Sequence, residues 1–365
     1  MHAAPSHADL PLTLESMLHA MPKAELHCHL FGTVRRATFE ALNRRAGMPL
    51  AEDEVRAFYT RGDKPVGVLR VLRALDAWLI RTPEDLHRLT YEYLEDAAAH
   101  NVRYSEFFWN PTGTAAESGI PYARAQEAIV RAIHDAQADH GIAGRLVAAI
   151  DREASPEAAR QMVEWVTGHR HEHTLGIGID YRETERPPEL FADAYADARR
   201  AGLKTTAHAG EFGTPWTHVR TALDVLKVDR IDHGYTVVDE PAFARECAER
   251  GVLFTVVPTN SYYLRTLPPE RWALDHPIRR MPGLGLAVHP NTDDPTLHHV
   301  TPTQAWLMMV RDFGFDLDAL RGFLENGLRG AWIDDGQRRA WRAQWLAEFD
   351  ALRARLPPDP LPQGN

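Results

Sequence analysis

The sequence predicts one (β/α)8 barrel, the TIM-barrel form of the α/β class, with a helical insertion after its first strand and helices at its C-terminus. Short apolar, β-branched or aromatic runs alternate with longer helix-patterned stretches from end to end, the signature of repeated βα units and a parallel sheet. Eight such runs can be counted. Histidines and acidic residues fall at the ends of several of them, where a closed barrel would gather them at one rim.

In chain order the predicted strands are Ala24–Leu30, Arg103–Phe108, Arg145–Asp151, Leu175–Asp180, Lys204–His208, Arg230–His233, Val252–Val257 and Gly285–Pro290. Periodic Ala/Arg/Glu-rich stretches lie between them and read as covering helices: Tyr122–His140, Pro156–Gly168, Glu189–Ala201, Thr217–Lys227 and Pro241–Arg250. Residues 34–101 break this rhythm with several helical segments, among them Val66–Leu79 with its apolar Val68, Leu69, Leu72, Leu75 and Leu79. An insertion after a barrel strand lands on the active-site face, so it reads as a lid or as extra packing helices. Arg338–Leu356 is amphipathic and reads as a terminal helix. The expected organisation is an N-terminal extension (1–20), a single barrel domain (21–356) and a Pro-rich disordered tail (357–365).

Composition narrows the function classes. The chain has 365 residues, 44% hydrophobic and 25% charged, with a formal net charge of -10. That charge argues against a nucleic-acid partner, since phosphate-backbone binders carry a basic patch; a small-molecule substrate suits it better. Two cysteines, Cys28 and Cys247, are too few for a disulfide framework. Residues 1–18 lack a basic segment followed by an apolar core, and no apolar run of about eighteen residues occurs, so a cytoplasmic chain without membrane attachment is expected. Oligomeric state is not readable.

The candidate chemistry sits at strand ends. His27 and His29 alternate along the first strand, so their side chains share one face, the barrel interior, while Cys28 points out toward the helices. His208 ends the fifth strand, His233 the sixth, and Asp293 and Asp294 follow the eighth. Three imidazoles and a carboxylate make a mixed nitrogen and oxygen site suited to Zn2+, which lowers the pKa of a bound water toward neutrality. His27, His29, His208 and Asp293 are the candidate ligands, one zinc per chain. Glu211, three residues beyond His208, is placed to carry a proton.

The run PKAELHCHLFGT, the turn HAGE, the segment RIDHGY, and NTDDP after HPIRRMPGLGLAVH together resemble the adenosine/adenine deaminase family of the amidohydrolase superfamily. The resemblance spans roughly Met21 to Trp332. It implies zinc ligation by His27, His29, His208 and Asp293, proton transfer by Glu211, orientation of water by His233, and contact of Asp294 with a purine ring. The implied reaction is hydrolytic removal of an exocyclic amino group, from a purine or from another amino heterocycle.

Three departures bear on specificity rather than on metal chemistry. Relatives usually carry an acidic residue at the position of Phe31, and in the adenosine-specific branch it reaches the ribose. An aromatic cannot accept a hydroxyl bond but can stack on a flat ring, so a free base or other flat amine is expected to be preferred over adenosine. The segment GIDYRETERPPELF lacks the Gly-containing turn of the adenosine branch and places Glu183 near a pocket wall. FTVVPTNSYYL permutes a Pro-Thr-Ser-Asn-like run into Pro258, Thr259, Asn260 and Ser261. A two-metal amidohydrolase would need a lysine at the end of the fourth strand, which instead ends in Ile179-Asp180. A silent binding module would have lost a ligand, Glu211 or His233, and all are present.

Overall fold

The computed structural model describes residues 12–60, 67–259 and 266–357. Most of the N-terminal extension, the tail beyond residue 357, Asn260 and Ser261 lie outside the described residues. Eight strands pair in parallel and in chain order: β1 (Lys23–Glu25), β2 (Val102–Trp109), β3 (Ala143–Asp151), β4 (Thr174–Asp180), β5 (Lys204–Ala209), β6 (Arg230–His233), β7 (Leu253–Val256) and β8 (Ala287–Pro290). The ring closes beyond β1 and β8, where Cys28 bridges Asp293. There the His29 N–H donates to Asp293 O at 2.8 Å and the Asp293 N–H donates to His27 O at 3.0 Å. The barrel is therefore closed at the rim that carries the candidate ligands.

β1 is shorter than its predicted span. The Leu26 N–H is taken by the Asn291 side chain at 2.8 Å, which interrupts the ladder, and pairing resumes only at Cys28 and His29. Leu30–Thr33 then coils into a 3-10 turn closed by Gly32 N–H to His29 O at 2.9 Å.

Strands buried on both faces read as near-continuous apolar runs, as in Leu146–Ile150. The main core lies between barrel and helices, while Phe108, Val147 and Ala149 form a separate cluster against Trp332. Near the start of β6 the buried Arg230 pairs with Glu106, its guanidinium 4.0 Å from the Trp332 ring centre. Glu106 also accepts from the Tyr104 hydroxyl at 2.7 Å and from the Trp332 N–H at 2.6 Å. These extra donors to the carboxylate, with Arg230 Nη2 donating to Leu26 O at 3.1 Å, are what make a buried ion pair tolerable.

Helices Tyr122–His140 and Pro156–Gly168 have their predicted bounds; the second starts where Ser155 accepts from the Ala158 N–H and Pro156 needs no donor. Others are broken. The predicted Glu189–Ala201 opens as a 3-10 turn, Pro188–Phe191, before the helix Ala192–Arg200. The predicted Thr217–Lys227 and Val66–Leu79 each finish in a π-turn, Ala222–Leu226 and Leu75–Leu79. Such wide turns are invisible to a 3.6-residue pattern. Pro83–Ala99 packs along Tyr122–His140 as a covering helix, and the terminal helix runs Asp335–Arg353.

Candidate metal centre and active site

His27 and His29 do share a face. Both Nε2 atoms lie 3.1 Å from His208 Nε2, and Asp293 Oδ1 lies 3.4 Å from His27 Nε2 and 3.1 Å from His29 Nε2. All four residues are buried.

The opposite edges of these rings decide what the cluster can hold. The Thr255 hydroxyl donates to Asp232 at 2.7 Å, so both Thr255 oxygens facing His27 Nδ1, each at 3.1 Å, accept from it. His208 Nδ1 lies 3.3 Å from Asp232 Oδ2 and His29 Nδ1 lies 3.2 Å from Asp180 Oδ2, both off the line of a straight hydrogen bond. Acceptors behind each ring keep the proton on Nδ1 and turn the Nε2 lone pairs inward. Three lone pairs and a carboxylate at these separations repel one another unless a cation lies among them. Bonds of about 2.0–2.1 Å in a tetrahedral site put ligand atoms roughly 3.3 Å apart, so the donor set and its spacing fit zinc.

Glu211 and His233 stand beside the cluster, with His233 Nε2 3.7 Å from Glu211 Oε2. The Tyr235 hydroxyl donates to Val257 O at 2.9 Å and accepts from the Val257 N–H at 3.0 Å, so at 3.1 Å it accepts from His233 Nδ1 as well. His233 Nε2 consequently presents a lone pair to the site and has no hydrogen-bond partner there. Asp294 is buried next to Asp293. A Cβ at Gly32 would come within 1.9 Å of Asp294 Oδ1, so only glycine after Phe31 lets that carboxyl seat. The structure thus brings every candidate residue together at the C-terminal rim.

The cavity over this rim measures about 590 Å3. His29, His208, Glu211, Asp293 and Asp294 contribute to its lining, together with the apolar Val68, Leu69, Leu72 and Phe212. The buried His298, unremarked in the sequence, also borders it; its N–H donates to Asp294 O at 2.7 Å, and burial pushes its imidazole down to about 4. Phe31 is not among the lining residues: its 3-10 turn packs against the insertion helices and buries the ring in the core, so stacking on substrate is not what this conformation offers. Glu183 is no pocket wall either. It is fully buried beneath the Gly210–Glu211 turn.

The helix Val68–Ala74 is tied across the mouth by Arg73, which pairs with Asp151 and with Glu153 at 2.8 Å while its guanidinium lies 4.0 Å from the Tyr181 ring centre. One turn on, Asp76 accepts from Thr114 Oγ1 at 2.8 Å, its second oxygen is buried without a partner, and burial pushes its pKa up to about 7. The ordinary value of 3.8 applies to the unfolded chain, so the folded chain binds this proton more tightly. The resulting penalty is absent below the unfolded value, grows between the two, and is complete above about pH 7. Asp76→Asn is expected to raise the free energy of unfolding, read from denaturant titrations, by at most about 4 kcal/mol at about pH 8.5, with a gain less than half as large at about pH 5. Equal gains at both pH values would contradict the assignment.

Comparison with known families matches residues 22–345 to adenosine deaminase. The chain belongs to the adenosine deaminase family. Within this family, the adenine deaminase of Cupriavidus metallidurans is 32% identical over 355 residues, covering 96% of this chain and 97% of that protein. An amidohydrolase of Burkholderia ambifaria, solved with bound zinc, superposes with a TM-score of 0.92 at 59% identity and 96% coverage of each chain. The adenine deaminase of Arthrobacter aurescens superposes with a TM-score of 0.83 at 30% identity, covering 92% of this chain and all of that one. The expected family and barrel are thereby borne out, and no helix among the described residues is long and apolar enough to cross a membrane.

Besides His298, the sequence reading passes over Asp180, Asp232 and Arg152. Asp180 and Asp232 lie behind ligand imidazoles, and each could have been noticed as a carboxylate ending or interrupting an apolar strand. The buried Arg152 donates to His208 O and lies 3.9 Å from Glu183. Nothing local in the sequence marks Arg152, because its partners come from β5 and from the loop after β4.

Proposed function

We propose that this chain hydrolytically removes the exocyclic amino group of a purine, releasing ammonia, with one zinc ion held by His27, His29, His208 and Asp293. The observation that carries the reading is the convergence of that ligand set with Glu211 and the bare Nε2 of His233, where His29, His208, Glu211 and Asp293 line one cavity. The adenine deaminase names of relatives and the zinc of the Burkholderia neighbour support it. Bound zinc would supply a polarised water with a pKa near neutrality.

The remaining chemistry falls to side chains. His233 Nε2 accepts a hydrogen bond from the attacking water and fixes its approach. Glu211, in its acid form, gives a proton to the ring nitrogen next to the amino-bearing carbon, which makes that carbon electrophilic. The carboxylate so formed takes the proton that the attacking water gives up and passes it to the departing nitrogen. The remaining hydroxyl proton returns to the carboxylate as ammonia leaves and the carbonyl forms. Asp294 meets the far edge of the ring, while Val68, Leu69 and Leu72 cover it and exclude bulk water.

The test is ammonia release by zinc-loaded protein with adenine, adenosine, deoxyadenosine, N6-substituted purines and pterin-like amines, beside metal analysis. A purine is expected to lead the series, with about one zinc per chain. Preference for a non-purine amine would move the substrate class, and two tightly bound ions both required for turnover would overturn the mononuclear site.

A further inference from the structure

We infer that Glu183 is a positioning residue that holds the Gly210–Glu211 turn, and so aims the Glu211 carboxyl at the substrate; this rests on the role proposed for Glu211. Glu183 lies three residues beyond the end of β4, and its side chain is completely buried. Oε1 accepts from the Gly210 N–H at 3.0 Å and from His218 Nδ1 at 2.8 Å, while Oε2 accepts from the Glu211 N–H at 3.1 Å.

Two successive backbone N–H groups aimed at one point form an anion-binding nest, and here the chain's own carboxylate fills it. Gly210 makes the nest possible. Its φ is +70°, and a Cβ would come within 2.5 Å of Thr236 Oγ1, so no other residue fits the turn. Arg152 Nη1, 3.9 Å away and equally buried, balances the charge, while Nη2 of the same guanidinium donates to His208 O. One buried carboxylate thereby ties the loop after β4, whose Tyr181, Arg182, Thr184 and Glu185 line the cavity, to the turn that presents Glu211. A proton carrier must sit within about 2.6–3.2 Å of the atom it serves, and small misplacements of reacting groups can cost about a hundredfold.

Glu183→Gln keeps the shape but sets an amide NH2 against one of the two backbone N–H groups. Glu183→Asp keeps the charge beside Arg152 but shortens the reach. Both are expected to lower kcat for the best purine substrate by about 10- to 100-fold, with KM within about threefold of wild type and full zinc content. Amide hydrogen exchange in the peptide carrying Gly210 and Glu211 is expected to accelerate in both variants while the rest of the barrel keeps its protection. A wild-type protein that releases no ammonia from any purine would remove the reading of the site, and unchanged exchange in the variants would then still overturn the clasp. An active wild type with unaltered kcat in Glu183→Gln would overturn the positioning role alone. So would a Glu183→Asp protein with normal kcat, which would reduce Glu183 to a counter-charge for Arg152.

Discussion

Glu211→Gln is expected to abolish most turnover while leaving the fold and the zinc content intact. The amide cannot give up a proton to a ring nitrogen at neutral pH, yet it fills the same volume beside His233 and leaves Glu183 its backbone partner at residue 211. General acid–base transfer contributes about 10^2–10^4 in rate, and the upper part of that range applies where one carboxyl handles more than one proton. KM should change far less than kcat, since the lost interaction is made chiefly in the transition state. The comparison is kcat at saturating substrate in both proteins at matched zinc occupancy. Near-normal turnover in a metal-replete Glu211→Gln would remove Glu211 from the reaction and return the proton steps to His233.

Legibility in the sequence followed the range of each interaction. His27 and His29 could be placed because a strand alternates its faces every residue. His208, His233 and Asp293 could be placed because a closed parallel barrel delivers every strand's C-terminal end to one rim. Phe31 could not, because its direction depends on the turn that Gly32 closes on His29, and the packing of that turn against the insertion helices is a tertiary fact. Glu183 is visible in the sequence as an acidic residue just beyond a strand, but its direction is not. Its backbone partners lie 27 and 28 residues along the chain, on the far side of a helix and a strand, and no local pattern distinguishes a carboxylate facing a cavity from one facing a nest. The strand positions held for a similar reason in reverse: each is a short apolar run whose meaning does not depend on its neighbours, except at β1, where a side chain from beyond β8 intrudes on the ladder.

Discrimination between a free base and a nucleoside therefore moves away from Phe31. The residues that can set it lie on the helix Val68–Ala74 and the loop after β4, which Arg73 joins by lying over Tyr181. An apolar wall rejects an added hydroxyl only weakly, whereas a site built to bond that hydroxyl rejects its absence strongly. Val68, Leu69 and Leu72 form a wall of the first kind, which by itself discriminates only weakly.

His208→Ala is expected to have the other large effect, on metal content, activity and stability together. His208 Nε2 is the atom that both His27 and His29 face at 3.1 Å, so its removal takes away the ligand central to the cluster. Turnover should fall by about 10^4-fold or more, because polarisation of the water is worth several kcal/mol and each 1.36 kcal/mol is a factor of ten. Stripping the wild type with a chelator should reproduce the loss, and added zinc should restore the wild type but not the variant. The stripped wild type should also unfold at a lower temperature, since an ion bound only by the folded chain stabilises it by about 4 kcal/mol when its free concentration is a thousand times the Kd. In the variant, chelator and zinc should both leave the unfolding temperature where it was. A chelated, metal-free wild type that kept its turnover would break the link between this cluster and the reaction. A His208→Ala protein that still bound one zinc at full affinity would show that the ion sits instead among other acidic and imidazole groups at the rim, such as Asp293, Asp294 and His298.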